Sequence, residues 1–118
     1  MALQSMSREI EDCIDECIDC HQTCIETLTH CLTMGGSHAE PGHIQMLLDC
    51  AEICQMSANF MMRRSPMHNR ACEVCAYACD RCAVACEQFA DEAMKACAEA
   101  CRSCAEACRT AAPISMAA

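Results

Sequence analysis

Cysteine recurs along this chain at the spacing of one face of an α-helix. Sixteen of the 118 residues are cysteine, and most of them are separated by two or three residues. At about 100° per residue, such positions lie on one narrow stripe of a helix, where a helix normally carries the leucines that it buries. The three runs are Cys13-x3-Cys17-x2-Cys20-x3-Cys24, Cys72-x2-Cys75-x3-Cys79-x2-Cys82-x3-Cys86 and Cys97-x3-Cys101-x2-Cys104-x3-Cys108. The pattern therefore predicts helices that bury thiols in place of hydrocarbon.

Composition limits the class of protein. A chain of this length is expected to form one domain, spanning residues 1–118, with a single core. Its net charge of -9 argues against a nucleic-acid partner, because proteins that bind nucleic acids carry a clustered basic surface. No apolar run approaches the length of a membrane span, so we expect no membrane partner.

The amino-terminal segment carries no pattern of an export signal. Residues 1–10 lack an uninterrupted apolar stretch, a twin arginine and a small-residue cleavage site, so we predict a cytoplasmic location. In that reducing compartment, a chain dense in cysteine is interpreted as metal-binding rather than disulfide-bonded.

Glycine and proline divide the chain into four helical segments. Gly35 is placed to end a first helix, and Pro41 lies in the loop that follows. Ser65 is predicted to cap a helix whose first residue is Pro66, and Asp91 to cap the last one. The predicted helices span about 7–33, 42–64, 66–88 and 91–111, and the tail at 111–118 is expected to be mobile. Short connections make successive helices antiparallel, which predicts an all-α, up-down-up-down four-helix bundle with a cysteine-lined core.

The second helix differs from the other three. It has only two cysteines, and it also bears an apolar face rotated away from them, as does the first helix. These two faces pack against neighbouring helices or form an oligomer interface. The stripe of the second helix that faces the thiols of the other helices consists of His43, Leu47, Cys50, Cys54, Ser57 and Met61.

Disulfides and simple packing explain the stripes poorly. Helical neighbours three or four residues apart have Cβ atoms about 5–6 Å apart, whereas a disulfide requires about 3.5–4.5 Å. A core of thiols alone would also be loosely packed. A metal held between two sulfur atoms fits the helical spacing better, because the S–metal–S unit spans about 4.5 Å.

Charge favours a monovalent metal. Four Zn(II) ions bound by sixteen thiolates would leave a charge of roughly -8 in one narrow core. One Cu(I) ion per thiolate leaves the core neutral, and copper(I) prefers soft sulfur ligands. A metallothionein-like buffer for Zn(II) or other soft metals remains the alternative.

Catalytic uses of the cysteines fit the pattern less well. Iron–sulfur clusters use four cysteines in loops that wrap a compact cluster, and a thioredoxin-like site needs one Cys-x2-Cys pair at a helix amino terminus. Here the pairs repeat in the middle of helices, and no nucleophile–base pair lies outside them. We therefore predict that the protein is not an enzyme.

The thiol runs on the first, third and fourth helices resemble those of the bacterial copper storage proteins, most clearly from Cys97 to Cys108. The resemblance covers about Cys13 to Cys108 and matches the cytosolic branch of that family. It implies a homotetramer of four-helix bundles, each of which holds many Cu(I) ions through its cysteines for storage or detoxification.

The residues proposed as metal ligands are the sixteen cysteines, His43 and Met46. His43 continues the thiol stripe of the second helix beside the glycine loop, so we predict that copper enters at that end. Met34, His38, Met46 and Met94 gather there as well, while Met6, Met61, Met62, Met67 and His68 gather at the opposite end. His21 and His30 lie off the thiol stripe and are interpreted as packing or surface residues. The predicted ligands are Cys13, Cys17, Cys20, Cys24, Cys31, Cys50, Cys54, Cys72, Cys75, Cys79, Cys82, Cys86, Cys97, Cys101, Cys104, Cys108, His43 and Met46.

Overall fold

The computed structural model describes residues 7–112. In that range the chain forms four α-helices and one short 3-10 helix, with no strand. Of the tail predicted at 111–118, Ala111 and Ala112 are buried, so the predicted boundary is wrong by two residues; positions 113–118 and the predicted contribution of Met6 lie outside the described residues. The elements are α1 (Arg8–Met34), the 3-10 helix (Gly36–Ala39), α2 (Pro41–Met62), α3 (His68–Cys86) and α4 (Glu92–Ala111).

The ends of α1 follow ordinary capping chemistry. The hydroxyl of Ser7 accepts a hydrogen bond from the backbone N–H of Ile10 at 3.2 Å, which satisfies one of the free donors of the first turn. At the other end, Gly35 has a φ of 72° and its N–H bonds to the carbonyl of Cys31. This left-handed conformation favours glycine, so the prediction that Gly35 ends α1 is confirmed.

The connection between α2 and α3 differs from the prediction. Ser65 and Pro66 do not begin α3: the helix starts at His68, and Met67 occupies its N-cap position. The hydroxyl of Ser65 instead accepts a hydrogen bond from the N–H of Met67 at 3.1 Å. The preceding helix stops at Met62, and Arg64 adopts a φ of 57°. A serine–proline pair serves a turn as well as a helix start, so the predicted start of this helix at Pro66 is wrong.

The other helix ends lie within two residues of their predicted positions. The predicted third helix runs to residue 88, whereas α3 ends at Cys86 and the chain turns through 87–88. Asp91 occupies the N-cap position of α4 as expected, but its carboxylate makes no capping hydrogen bond.

The four helices pack in a closed ring. Each helix contacts the next one in the chain, and α4 returns to contact α1. This is the predicted antiparallel four-helix bundle. Alanines fill the seams beside the thiols, and their small side chains let the helices approach closely enough for a narrow core to be filled. Buried examples are Ala51, Ala58, Ala83, Ala98 and Ala105.

The second apolar faces of α1 and α2 are only partly covered. Ile14 and Ala58 are buried, whereas Leu32 is 58% exposed and Met62 is 43% exposed. Packing between helices therefore accounts for part of each face and leaves the rest at the surface. No helix between residues 7 and 112 combines the length and the apolarity that a membrane span requires.

Candidate metal centre

All sixteen cysteines point into the bundle. Each of them is a free thiol with no exposed surface. The largest fully buried side chains other than cysteine are Leu47, Met61 and Met94. The centre of this protein is therefore lined with sulfur along most of its length, as the helical stripes predict.

Sulfur atoms from different helices approach one another closely. The Sγ atoms of Cys13 in α1 and Cys108 in α4 are 3.6 Å apart, as are those of Cys54 in α2 and Cys79 in α3. Contacts also cross the bundle diagonally. The further Sγ–Sγ distances are Cys17–Cys75 3.9 Å, Cys17–Cys108 3.7 Å, Cys17–Cys104 3.6 Å, Cys20–Cys101 3.8 Å, Cys50–Cys79 3.8 Å, Cys54–Cys75 3.7 Å and Cys54–Cys104 4.0 Å.

The thiols form overlapping groups of four. Within each group, all sulfur atoms lie within 4.8 Å of one another. Several cysteines belong to two groups, so one thiolate can bridge two metal ions and the groups form a continuous series along the bundle. These groups include Cys17/Cys75/Cys104/Cys108, Cys54/Cys75/Cys79/Cys104, Cys20/Cys50/Cys54/Cys79, Cys20/Cys24/Cys50/Cys101 and Cys24/Cys82/Cys97/Cys101.

The sulfur separations match those around a bound metal ion. With a metal–sulfur bond of about 2.3 Å, two sulfur ligands are about 3.8 Å apart in tetrahedral geometry and about 4.0 Å apart in a trigonal plane. The shortest contacts here, 3.6–4.0 Å, fall close to both values. A disulfide bond is about 2.05 Å long. Small rotations of the side chains would therefore admit an ion without rebuilding the backbone.

Burial and thiol–thiol hydrogen bonds shift the acidity of the cysteines. Loss of hydration raises the pKa of Cys31 to about 11, since the thiolate is the form that burial penalises. Hydrogen bonds with Cys104 and its other thiol neighbours, together with burial, raise the pKa of Cys54. Donation from Cys104 and Cys108 lowers the pKa of Cys17 to about 6. Neighbouring thiols in the array thus differ in acidity, because hydrogen bonds between them stabilise the thiolate of some and the thiol of others.

The thiol array ends in a mixed set of ligands near the glycine loop. The Nε2 atom of His43 lies 3.5 Å from the Sγ atom of Cys31, and the thiol of Cys31 also contacts the sulfur of Met94 at 3.6 Å. The ring of Phe89 packs against His43 with 5.1 Å between centroids. Burial, with a smaller effect of His38, lowers the pKa of His43 and so favours the neutral imidazole that binds metals.

The opposite end of the array is closed by a methionine. The thiol of Cys72 lies 3.7 Å from the sulfur of Met61 and 3.6 Å from the hydroxyl of Ser57. Met61 is 1% exposed, while Met62 and Met67 of the same end lie at the surface. Met61 therefore covers Cys72 on this side.

Two methionines near His43 have different positions. The sequence predicts Met46 as a ligand. In the structure Met46 is half-buried and lines a surface groove together with His43 and Phe89. Met94 is the methionine whose sulfur contacts Cys31, and the prediction did not include it among the ligands. Its position, three residues before Cys97, continues the thiol stripe of α4, and that spacing could have identified it.

Comparison with known proteins places the chain in a family. A family model described as copper storage protein (Csp) matches residues 6–113. The cysteine-rich protein YhjQ of Bacillus subtilis (strain 168), itself uncharacterized, is 36% identical over 71 residues. That alignment covers 60% of this chain and 66% of the relative, slightly less than two thirds of its length.

Solved structures share the whole bundle. The protein Nmul_A1745 from Nitrosospira multiformis is 44% identical, with a TM-score of 0.85 over 89% of this chain and 95% of the other. The Cu(I)-bound copper storage protein BsCsp3 is 36% identical, with a TM-score of 0.85 over 90% of this chain and all of the other. The thiol-lined bundle, the match to the family model and the likeness to these structures lead to one conclusion: the chain belongs to the copper storage protein family.

Proposed function

We propose that this protein stores copper(I), holding many ions through cysteine thiolates inside the bundle. The observation that carries the proposal is the continuous series of four-thiol groups, in which all sulfur atoms of a group lie within 4.8 Å of one another and the closest pairs are 3.6–4.0 Å apart. The Cu(I)-bound state of the related BsCsp3 supports it. Copper is the cargo of such a core, and no chemical step is required of the protein beyond binding.

Charge balance supports copper(I) over a divalent ion. The thiol core has no exposed cysteine, and no lysine or arginine is buried among residues 7–112. A monovalent ion that replaces each thiol proton keeps the core neutral, so the desolvation cost stays small. On this basis the capacity is about sixteen ions, or about one for each thiol.

Copper loading exchanges metal for protons. Burial raises the pKa of Cys31, and because burial disfavours a thiolate, we expect most thiols to hold their protons when the core is empty. Each Cu(I) ion that enters therefore releases about one proton. Because the thiols already lie at metal-binding separations, the empty bundle needs little reorganisation.

Copper reaches the core at the end that carries His43. This imidazole is 8% exposed and touches Cys31, so it joins the surface groove of Met46 and Phe89 to the first buried thiol. Imidazole and thioether groups are suitable transient ligands for copper(I). At the opposite end Cys72 contacts Met61 and Ser57 rather than a histidine, which favours the His43 end as the route inward.

The remaining aspects of the function rest on the sequence and the family. The protein is proposed to act in the cytoplasm, as a homotetramer, without catalytic activity. Residual apolar surface on α3 supports association between copies, because exposed apolar patches mark interaction surfaces. Its exposed members are Val74, Tyr77 and Val84.

A competition titration tests the proposal. Reduced apoprotein is titrated with Cu(I) under anaerobic conditions against a chromophoric Cu(I) chelator, while free thiols are counted in parallel. We expect tight uptake of about one ion per thiol, with release of about one proton for each ion. Saturation at one or two ions would contradict storage.

The same titration with Zn(II) separates the alternative function. The four-thiol groups also have the separation required for a tetrahedral Zn(II) site. A metallothionein-like buffer would bind about four Zn(II) ions tightly, one for every four thiols. Weak or incomplete zinc binding, together with tight Cu(I) uptake near one ion per thiol, would favour the storage function.

A further inference from the structure

Two histidines share one carboxylate at the surface beside the His43 end. The Nε2 atom of His30 lies 2.8 Å from Oδ2 of Asp91, and the Nε2 atom of His38 lies 3.1 Å from Oδ1 of the same group. The three residues come from α1, the 3-10 helix and the N-cap of α4. The fold therefore brings together three metal-binding side chains that are far apart in the sequence.

The three side chains are held in place by their neighbours. The ring of His38 stacks on Phe89 with 4.2 Å between centroids, and the rings of His30 and His38 meet edge to face at 5.7 Å. Asp91 occupies an N-cap position yet makes no capping hydrogen bond, because its carboxylate is turned toward the histidines. These side chains are 16–32% exposed, so an ion from solvent can reach them.

The two nitrogen–oxygen distances are slightly shorter than those of a tetrahedral metal site. With metal–nitrogen and metal–oxygen bonds of about 2.0–2.1 Å, two ligand atoms are about 3.3–3.4 Å apart. The observed distances of 2.8 and 3.1 Å would have to widen by about 0.2–0.6 Å, which small rotations of these side chains can supply. We propose that His30, His38 and Asp91 bind one divalent cation of the Zn(II) class, with water as the fourth ligand.

The ligand chemistry separates this site from the thiol core. Two imidazoles and a carboxylate suit a borderline divalent ion, whereas copper(I) prefers the sulfur atoms inside the bundle. The net charge of -9 also draws cations toward the surface. Zinc and copper(I) can therefore be bound to the same molecule at different places.

The test uses protein whose thiols are already occupied by copper. The apoprotein is loaded with Cu(I) under anaerobic conditions, and its copper content is measured first, so that a failure of copper storage is seen before zinc is added. Zn(II) alone is then titrated against a fluorescent zinc indicator, and the imidazole ¹⁵N resonances are followed by NMR. Released copper is measured at each step.

We expect one Zn(II) ion to bind without release of copper, and the Nε2 resonances of His30 and His38 to shift. His38→Gln and Asp91→Asn should each weaken zinc binding at least about tenfold, because each removes a ligand. His68→Gln is the matched control, since His68 lies at the opposite end beside Ser65, and its affinity should match that of the parent protein. Copper capacity and helical content of every variant should be unchanged.

Three results would overturn the site. They are the absence of zinc binding, zinc binding that leaves the resonances of His30 and His38 in place, and an affinity that is the same in Asp91→Asn as in His68→Gln. Each would show that the histidine–carboxylate cluster only joins the loop to the bundle.

Discussion

The Nε2 atom of His43 lies 3.5 Å from the Sγ atom of Cys31, and this contact joins the buried thiols to the surface. Cys31 has no exposed surface, whereas His43 is 8% exposed. Among residues 7–112, His43 is the histidine whose ring nitrogen contacts a buried thiol. Its proposed role is to receive a copper ion and transfer it to the neighbouring sulfur.

Replacing His43 by alanine should slow copper uptake while leaving the capacity almost unchanged. The imidazole of His43 is not part of the thiol series. Its loss therefore removes one step on the path of copper into the core, but few of the groups that hold the stored copper. Stopped-flow measurement of Cu(I) transfer from a weak chelator would give the rate, and an endpoint titration would give the capacity. His68→Ala at the opposite end is the control, and equal uptake rates in the two variants would remove His43 from the route.

Replacing Ser57 by cysteine should increase copper capacity by about one ion. Ser57 is fully buried, and its hydroxyl lies 3.6 Å from the Sγ atom of Cys72. A thiol at this position would extend the array along α2, the helix with the fewest cysteines, with little change in side-chain volume. Competition titration with thiol counting measures the gain. Ser57→Ala should keep the parent capacity, and no gain in Ser57→Cys would argue against a contiguous metal array.

Copper loading should raise the unfolding temperature by more than about 10 °C. Ions that bind the folded core tightly stabilise it by mass action, by about 4 kcal/mol at a thousandfold excess over the dissociation constant, and 1 kcal/mol corresponds to about 4–8 °C in a domain of this size. Circular dichroism of the empty and loaded protein measures the shift. An empty protein with little helix, or a loaded protein with an unchanged midpoint, would contradict a preformed thiol core.

The spacing of the cysteines along the sequence indicates which stripe of each helix is buried, so helical periodicity was enough to predict the thiol core. Cys20 and Cys101 meet at 3.8 Å although they are far apart in sequence, since both lie on the inward stripes of their helices. His43 was identified for the same reason. Its role in metal binding, like that of each cysteine, stays a prediction. The predicted start of α3 is wrong because Ser65 and Pro66 suit a turn and a helix equally well.

The cluster of His30, His38 and Asp91 could not be predicted in this way. His30 and Asp91 are 61 positions apart, and their meeting depends on how the ends of α1 and α4 align in the bundle. Neither residue lies on a thiol stripe, so periodicity interprets His30 as a surface residue. Sites assembled from helix ends and loops require tertiary structure, whereas a core stripe does not.

The ion pair between Glu87 and Arg102 should make a small, pH-dependent contribution to stability. Two guanidinium nitrogens of Arg102 contact the Glu87 carboxylate, the nearer at 2.8 Å, and this hydrogen bonding lowers the pKa of Glu87. A lowered pKa in the folded state means that the stabilisation is present above the unfolded value of about 4.3. It is lost as the pH falls through the lower, folded value.

Glu87→Gln should therefore be slightly less stable than the parent protein at pH 7 and equally stable in acid below both pKa values. Urea unfolding of the empty, reduced protein at a series of pH values measures the difference. Glu26→Gln is the control, because Glu26 is exposed and has no ion pair within residues 7–112. Since both groups of the pair are at the surface, the difference should also shrink as salt is added. A difference that persists unchanged in acid would mean that Glu87 acts through packing rather than charge.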